Sequence, residues 1–395
     1  MSLDRDVMPV RYAETARSPL AFNRGSGVIM AADLAHGQVS GLRAQLCGDA
    51  HVSNFGLFSN PAGKPVFDIA DFDETLPGPW EWDVKRLAVS LEVAARQATG
   101  TTTPRGHVVR KSVDAYASAM RRYARTPYLE VLYGRVPSPH IDLPASGGGF
   151  EPLDRRAKGG PRLLTKPPRF HRIDDLMPSD EAALVFGQTR VDVDSYKRTL
   201  ADDRKAMLDR YELRDIASEL ADIPAMGLRT HVLLMVETET AQPLLLQLRE
   251  ARHAIFEPFA GRSRYSQAGH RVIEGMRLIS SRADVLLGWM RGQSTEGTMR
   301  DYYVRQWPRP ANLPNLDRIT MTELRALGQA CATLLARAHA VSGDRVAIAR
   351  YLGSSTAFTD AVETFASAYA DQNLRDYESF LSAVDRGRII VRRAA

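Results

Sequence analysis

Apolar and polar positions along this chain alternate between helical and strand textures, and the polar residues with chemistry cluster where strands end. Residues 8–36 read as helical or mixed and hold the cluster Phe22-Asn23-Arg24-Gly25. A short apolar run, Arg43-Ala44-Gln45-Leu46-Cys47, predicts a buried strand that empties into Gly48-Asp49-Ala50-His51. A second strand is predicted over residues 64–70, with Val66, Phe67 and Ile69 apolar. Pro77-Gly78-Pro79 predicts a turn. Val84, Leu87, Ala88, Leu91, Ala94 and Ala95 then form one face of an amphipathic helix, with Asp83 as its expected N-cap and Gly100 as its stop.

Residues 107–135 continue as helix. Residues 136–170 are rich in Gly, Pro and basic side chains and predict a long loop or insert, the best internal break in the chain. A charged surface helix is expected over 190–213. From about 215 to 310 the texture turns to strands, in HVLLMVE, PLLLQLRE and YYVRQW. Residues 321–341 and 357–385 return to long helical patterns. No internal repeat or low-complexity tract interrupts them. The fold class expected from this order is α+β, and 395 residues suit two or three domains or one two-lobed unit.

Composition narrows the classes. Hydrophobic residues make up 44% and charged residues 25%, which excludes a largely disordered or collagen-like chain. Two cysteines, Cys47 and Cys331, exclude a disulfide scaffold and a zinc site of cysteine pairs, and they fit a reducing compartment. No run reaches the ~18 apolar residues of a membrane helix, and the first residues lack a signal-peptide apolar core, so a cytoplasmic protein without a membrane span is expected. Lys and Arg number 52 against 47 acids, a net charge of +5 spread along the chain. Without interleaved basic and aromatic motifs, nucleic acid is not the expected partner.

The sharpest chemical signal is GDAHVSNFG at 48–56, followed by FDIADFDET at 67–75. The second stretch places Asp68, Asp71, Asp73 and Glu74 at the end of an apolar strand. Two carboxylates ~4 Å apart repel by about 1 kcal/mol in water and about 4 kcal/mol at an intermediate dielectric. A hard divalent cation relieves that cost and prefers carboxylate and amide oxygens, so Asp and Asn from one loop with Asp from another suit a Mg²⁺–phosphate site. The plainer alternative is that these acids cap turns and helices.

GDAHVSNFG resembles the catalytic loop of aminoglycoside and choline phosphotransferases and other protein-kinase-like enzymes, roughly H-G-D-x-H-x-x-N. The resemblance implies that Asp49 accepts the substrate hydroxyl proton and that Asn54, five residues later, holds a metal. It also implies a second metal aspartate twelve residues before an Asp-hydrophobic pattern. Asp71 precedes Asp83 by that interval, which makes Asp71 the best match, with Asp73 and Asp68 as further candidates. More finely, SPLAFNRG, LCGDAHVSNFG, VFDIADFDETLPGPWEWDVKRLAVS, YVRQW, LLARAHAVSGD, IARYLG and FASAYADQ resemble an uncharacterised bacterial family, the domain of unknown function numbered 2252. That family brings no established activity.

In kinase-like proteins the small nucleotide-binding lobe comes first, but here the catalytic-loop pattern already stands at residue 49. The resemblance therefore implies a circularly permuted, two-lobed kinase-like fold. Residues 1–135 would carry the catalytic-loop and metal part of the helical lobe, 136–213 an insert and linker, 214–310 the small β lobe, and 311–395 the rest of the helical lobe. Residues 222–236 occupy the place of the glycine-rich loop, of which only Gly227 remains, and Pro224 removes one backbone donor. Arg249 stands where a phosphate-contacting Lys is expected, with Glu274 as the acid to pair with it. Arg keeps the charge on a larger planar fork.

The leading expectation is Mg²⁺-dependent transfer of the terminal phosphate of ATP or another nucleoside triphosphate to a hydroxyl, weakened or lost if the eroded phosphate loop is decisive. His51 would steady the loop or contact phosphate. Arg24 would reach the acidic site or serve as an ion-pair partner. His339, Trp80, Trp82 and Cys47 are read as packing residues. Two rivals use the same residues: a nucleotide- or ligand-binding pseudokinase without turnover, and a metal-dependent hydrolase built on Asp49, His51, Asp71 and Asp73. The acceptor, small molecule or protein, and the oligomeric state stay open.

Overall fold

The structure is a computed structural model, and it describes residues 3–59, 65–98, 106–137, 139, 152–165, 170–219, 230–282, 284–293, 298–307 and 315–392. The expected mixed region at the start forms three helices: α1 (Leu3–Thr15), α2 (Pro19–Gly25) and α3 (Gly27–Ala35). Ser18 caps α2 by accepting from the Ala21 amide, and Pro19 sits where its missing N–H costs nothing. Phe22 anchors α2 on Tyr377 and Phe380, ring centres 5.9 and 5.6 Å away.

Four short strands follow: β1 (Arg43–Leu46), β2 (Phe55–Ser59), β3 (Pro65–Ile69) and β4 (Leu76–Pro79). They form two antiparallel pairs, β1 with β4 and β2 with β3. The expected turn at 77–79 is thus a strand, because Leu46, Gln45, Ala44 and Arg43 supply a partner edge that local sequence does not reveal. The helix α4 (Glu81–Gln97) is buried nearly all round. It starts at Glu81 with Trp80 as its cap, so Asp83 is not the N-cap. The Asp83 carboxylate is turned instead to the loop after β1. Gly100 lies outside the described residues; the helix ends at Gln97, with Ala98 as C-cap.

The expected helix over 107–135 breaks at Pro127 into α5 (Gly106–Tyr123) and α6 (Tyr128–Tyr133). Within the expected insert, β5 (Leu153–Asp154) and β6 (Arg162–Leu163) make a small hairpin, and β7 (Phe170–Arg172) leads into α7 (Ile173–Leu176). The charged helix begins earlier than its pattern suggests, as α8 (Ser179–Lys197), and α9 (Asp202–Leu208) follows it. Then come β8 (Tyr211–Glu219), β9 (Thr230–Glu237), β10 (Pro243–Ala251), α10 (Glu257–Ala260), α11 (Ala268–Ile279), β11 (Gly288–Gln293) and β12 (Met299–Gln306). The chain closes with α12 (Met321–Ser342), α13 (Arg345–Leu352) and α14 (Ala357–Asp385). Thr320 and Glu323 build a capping box at the start of α12.

Strands β7 to β12 form one antiparallel sheet in the order β11-β12-β10-β9-β8-β7. Leu233 and Met235 pack on one face with Tyr196 and Leu208 of the α8–α9 segment. Val232, Leu234 and Val236 pack on the other with Leu153 and Leu163 of the hairpin. Both faces are therefore covered, which is why HVLLMVE reads as a continuous apolar run. The largest core joins α4, α5, α11 and α12 to the four short strands. The protein is thus a mixed α+β fold. No helix among the described residues is long and apolar enough to cross a membrane.

Candidate functional site

Two loops meet at the foot of α4. The first, after β1, starts at Gly48, whose φ is +91°. A Cβ there would lie 2.0 Å from the Glu74 carbonyl oxygen, so only glycine lets residues 48–51 lie against residues 70–75. Asp83 fixes this approach by accepting from the Cys47 and Gly48 amides at 2.8 and 3.3 Å. His339 backs the same carboxylate, Nε2 to Oδ2 3.2 Å, and is a core residue as read.

Asn54 ties the loops together. Its Nδ2 donates to the carbonyls of Asp49 (2.9 Å) and Asp71 (3.1 Å), and its Oδ1 accepts from the Asp71 amide (2.9 Å). The side chain that the kinase-like resemblance assigns to a metal is spent here on main-chain clamps. Arg86 of α4 donates through Nε to Asp49 Oδ1 at 2.9 Å. Arg86 is itself held by the side chain and carbonyl of Asn23, at 3.0 and 2.7 Å. His51 Nε2 stands 3.5 Å from the other Asp49 oxygen, too long for a strong hydrogen bond. Burial, reinforced by Arg86 and Arg24, pushes the His51 imidazole down to about 3 against the pull of Asp49, so it is neutral at pH 7.

The sheet meets the acidic loop through β10. A single nitrogen of Arg249, Nη2, stands 2.7 Å from Asp71 Oδ2 and 2.6 Å from Asp73 Oδ2. Burial raises the Asp71 carboxyl, but Arg249 and Arg305 outweigh it and hold Asp71 below the usual range. Asp73 goes the other way, to about 7: burial dominates, and Asp71's charge adds to it against Arg249. Glu74 accepts from the Ile255 amide at 2.6 Å, and burial lifts it to about 8. Arg271, 2% exposed, donates to the carbonyls of Thr75, Asp73 and Arg252 at 2.6, 2.7 and 2.8 Å.

Asp49, His51, Asn54, Asp71, Asp73 and Arg249 therefore converge. Arg24 shares the His51 neighbourhood through its charge. Asp68 does not converge with them. It is fully buried and accepts from Ser280 Oγ and the amides of Ser281 and Arg282, at 2.7, 2.9 and 3.1 Å, so it holds the turn that follows α11. The expected Glu274–Arg249 pair does not form either. Glu274 bonds Arg277 at 2.7 Å on the exposed side of α11, one helical turn away and within easy reach, and Asp71 and Asp73 take Arg249. Gly227 and Pro224 lie outside the described residues.

Arg86 and Arg271 are site-building residues that sequence reading passed over. Arg86 left no signal, because it lies off the apolar face that Val84, Leu87 and Leu91 define and reads as a solvated charge. Arg271 left only its place between apolar Val272 and Gly269. Among the described residues, no three His, Cys, Asp or Glu side chains stand ready to share an ion.

A family model described as an uncharacterized protein conserved in bacteria, the domain of unknown function 2252, matches residues 3–146 and 150–383. Neither the curated proteins nor the solved structures give a match to this chain.

Proposed function

The chain belongs to this uncharacterised bacterial family, and from that premise and the loop geometry we propose a kinase-like phosphotransferase. It would move the terminal phosphate of a nucleoside triphosphate to an acceptor hydroxyl with Mg²⁺. One observation carries the reading: Asn54 locks the Asp49 and Asp71 loops side by side, and a basic residue of the sheet, Arg249, reaches across to the second. Phosphoryl transfer asks for little more from a protein than such a juxtaposition of a proton acceptor, a cation seat and a phosphate-binding charge.

Asp49 is the acceptor of the hydroxyl proton. Arg86 occupies Oδ1 and fixes the carboxylate's plane, which leaves Oδ2 for the substrate. Asp71 keeps 28% of its side chain exposed, and buried Asp73 Oδ1 has no hydrogen-bond partner. These oxygens fit Mg²⁺, which is commonly held by one or two carboxylates plus substrate phosphates. The ion would neutralise charge on the transferring group. Arg249 would take phosphate oxygens, and neutral His51 would line the Asp49 side of the site.

The rival of binding without turnover draws on the same Arg249, which already pairs with both carboxylates. Calorimetric titration with ATP, with and without Mg²⁺, tests the reading on wild type and Asp71→Ala. Mg²⁺-dependent binding that the variant loses supports the site, and an acceptor screen for labelled phosphate then separates turnover from binding alone. Absence of ATP and GTP binding under every metal condition sinks it.

A further inference from the structure

The guanidinium of Arg249 sits where a shared cation belongs. Its Nη2 bridges Asp71 Oδ2 and Asp73 Oδ2 at 2.7 and 2.6 Å, both charge-assisted distances. The arrangement is incomplete on both sides. Arg249 is nine-tenths buried, yet its Nε has no hydrogen-bond partner, and neither does the buried Oδ1 of Asp73. Unpaired buried polar atoms are costly and rare in a finished network. Here they sit on the two partners of one ion pair, so this arrangement leaves a donor of the one and an acceptor of the other unmet. The open side is that of Asp71, whose side chain is 28% exposed, while Tyr303, opposite Arg249 on β12, closes the other.

We propose that Arg249 is a resident counter-ion that keeps a divalent-cation seat between Asp71 and Asp73 shut, and that a phosphate-type oxyanion opens it by drawing the guanidinium away. The inference rests on the phosphotransferase reading and adds an order to it: anion and metal bind with positive coupling, and metal alone binds poorly. A guanidinium prefers a bidentate oxyanion over two separate carboxylate oxygens on one nitrogen. Once it turns to that anion, Asp71 keeps only the charge of Arg305 and Asp73 loses its cationic partner, so a hard cation that favours both ionised carboxylates takes the place of the guanidinium. Coupling between two such sites commonly spans ~5- to ~150-fold in affinity, and reciprocity requires the metal to tighten the anion by the same factor.

Titration with Mn²⁺, followed by electron paramagnetic resonance, reads the seat without any nucleotide or turnover. The full chain is titrated in chloride and in sulfate of matched ionic strength, because sulfate pairs with guanidinium and holds Mn²⁺ only weakly. Sulfate is expected to tighten Mn²⁺ binding to wild type by ~5-fold or more. Arg249→Gln is expected to bind Mn²⁺ that much more tightly in chloride, with no further gain from sulfate, and Asp71→Asn added to it is expected to abolish the gain. Equal Mn²⁺ affinity in chloride and sulfate for wild type overturns the proposal, whether or not the variant folds. So does a gain in Arg249→Gln that survives Asp71→Asn, because the ion would then sit elsewhere. A protein that shows this coupling but never binds ATP or GTP keeps the shut seat and loses the kinase-like reading. One that binds Mg²⁺–ATP without the coupling does the reverse.

Discussion

Single residues set the site's tolerances. Gly48 is the tightest: its positive φ and the 2.0 Å approach to the Glu74 carbonyl leave no room for a methyl group. Gly48→Ala should therefore destabilise the protein by about 2–4 kcal/mol, combining backbone strain with displacement of the acidic loop. Urea unfolding with an unchanged slope checks it. His51 sets a pH response. Its folded value is about 3 against an ordinary 6.5, so the unfolded chain binds the extra proton first on acidification. This contribution is complete above pH 6.5 and is lost progressively as pH falls towards 3. By pH 5 the loss amounts to about 2 kcal/mol. His51→Gln should recover about that much of the drop in unfolding free energy between pH 7 and 5. An equal drop in both proteins would show that the imidazole is not held neutral.

At the scale of elements, buried arginines tie segments whose carbonyls would otherwise go unpaired. Arg337 of α12 donates to the Leu132 and Gly134 carbonyls at the end of α6 and to Ile279 at the end of α11. The helix α6 has only six residues, with Leu129 and Tyr133 exposed, so little else holds its end. Arg337→Ala should free it, costing about 3 kcal/mol and speeding amide exchange over 128–134 before other helices respond. Uniformly faster exchange would instead mean that α6 opens only with the whole core. The sequence made α12 and α14 legible, with α14 ending where its pattern does, because their apolar spacing is strong and repeated. It made β4 illegible, because a strand of Leu-Pro-Gly-Pro exists only through its pairing with β1.

At the scale of the molecule, β10, α11 and the segment after α11 all meet the acidic loop largely through arginines. Arg249 takes two carboxylates, Arg271 the Thr75 and Asp73 carbonyls, and Arg282 the Ile69 carbonyl at 2.9 Å. A ligand seated between Asp49, Asp71 and Arg249 should stabilise both parts at once. At 100 times its dissociation constant it contributes about 2.7 kcal/mol. Mg²⁺–ATP should therefore raise the melting temperature and slow amide exchange over both 69–75 and 246–251. Protection of only one segment would place the ligand on one side and deny a shared site.

The residue types of the site, their placement at strand ends and the α+β order were readable because they follow from local pattern: apolar periodicity names the element, and acids after a strand name the chemistry. The pairing was not. Asp68 and Asp71 stand three positions apart in similar acidic surroundings, yet one holds the turn after α11 in the core and the other faces Arg249. Asp83 reads as a helix cap and serves as an acceptor for the loop after β1. Arg249 was read as the partner of Glu274 and lies on Asp71 and Asp73. A buried charge takes whichever opposite charge or free backbone group the packed elements bring within about 3 Å. That choice depends on strand register and helix placement, which no single stretch of sequence contains.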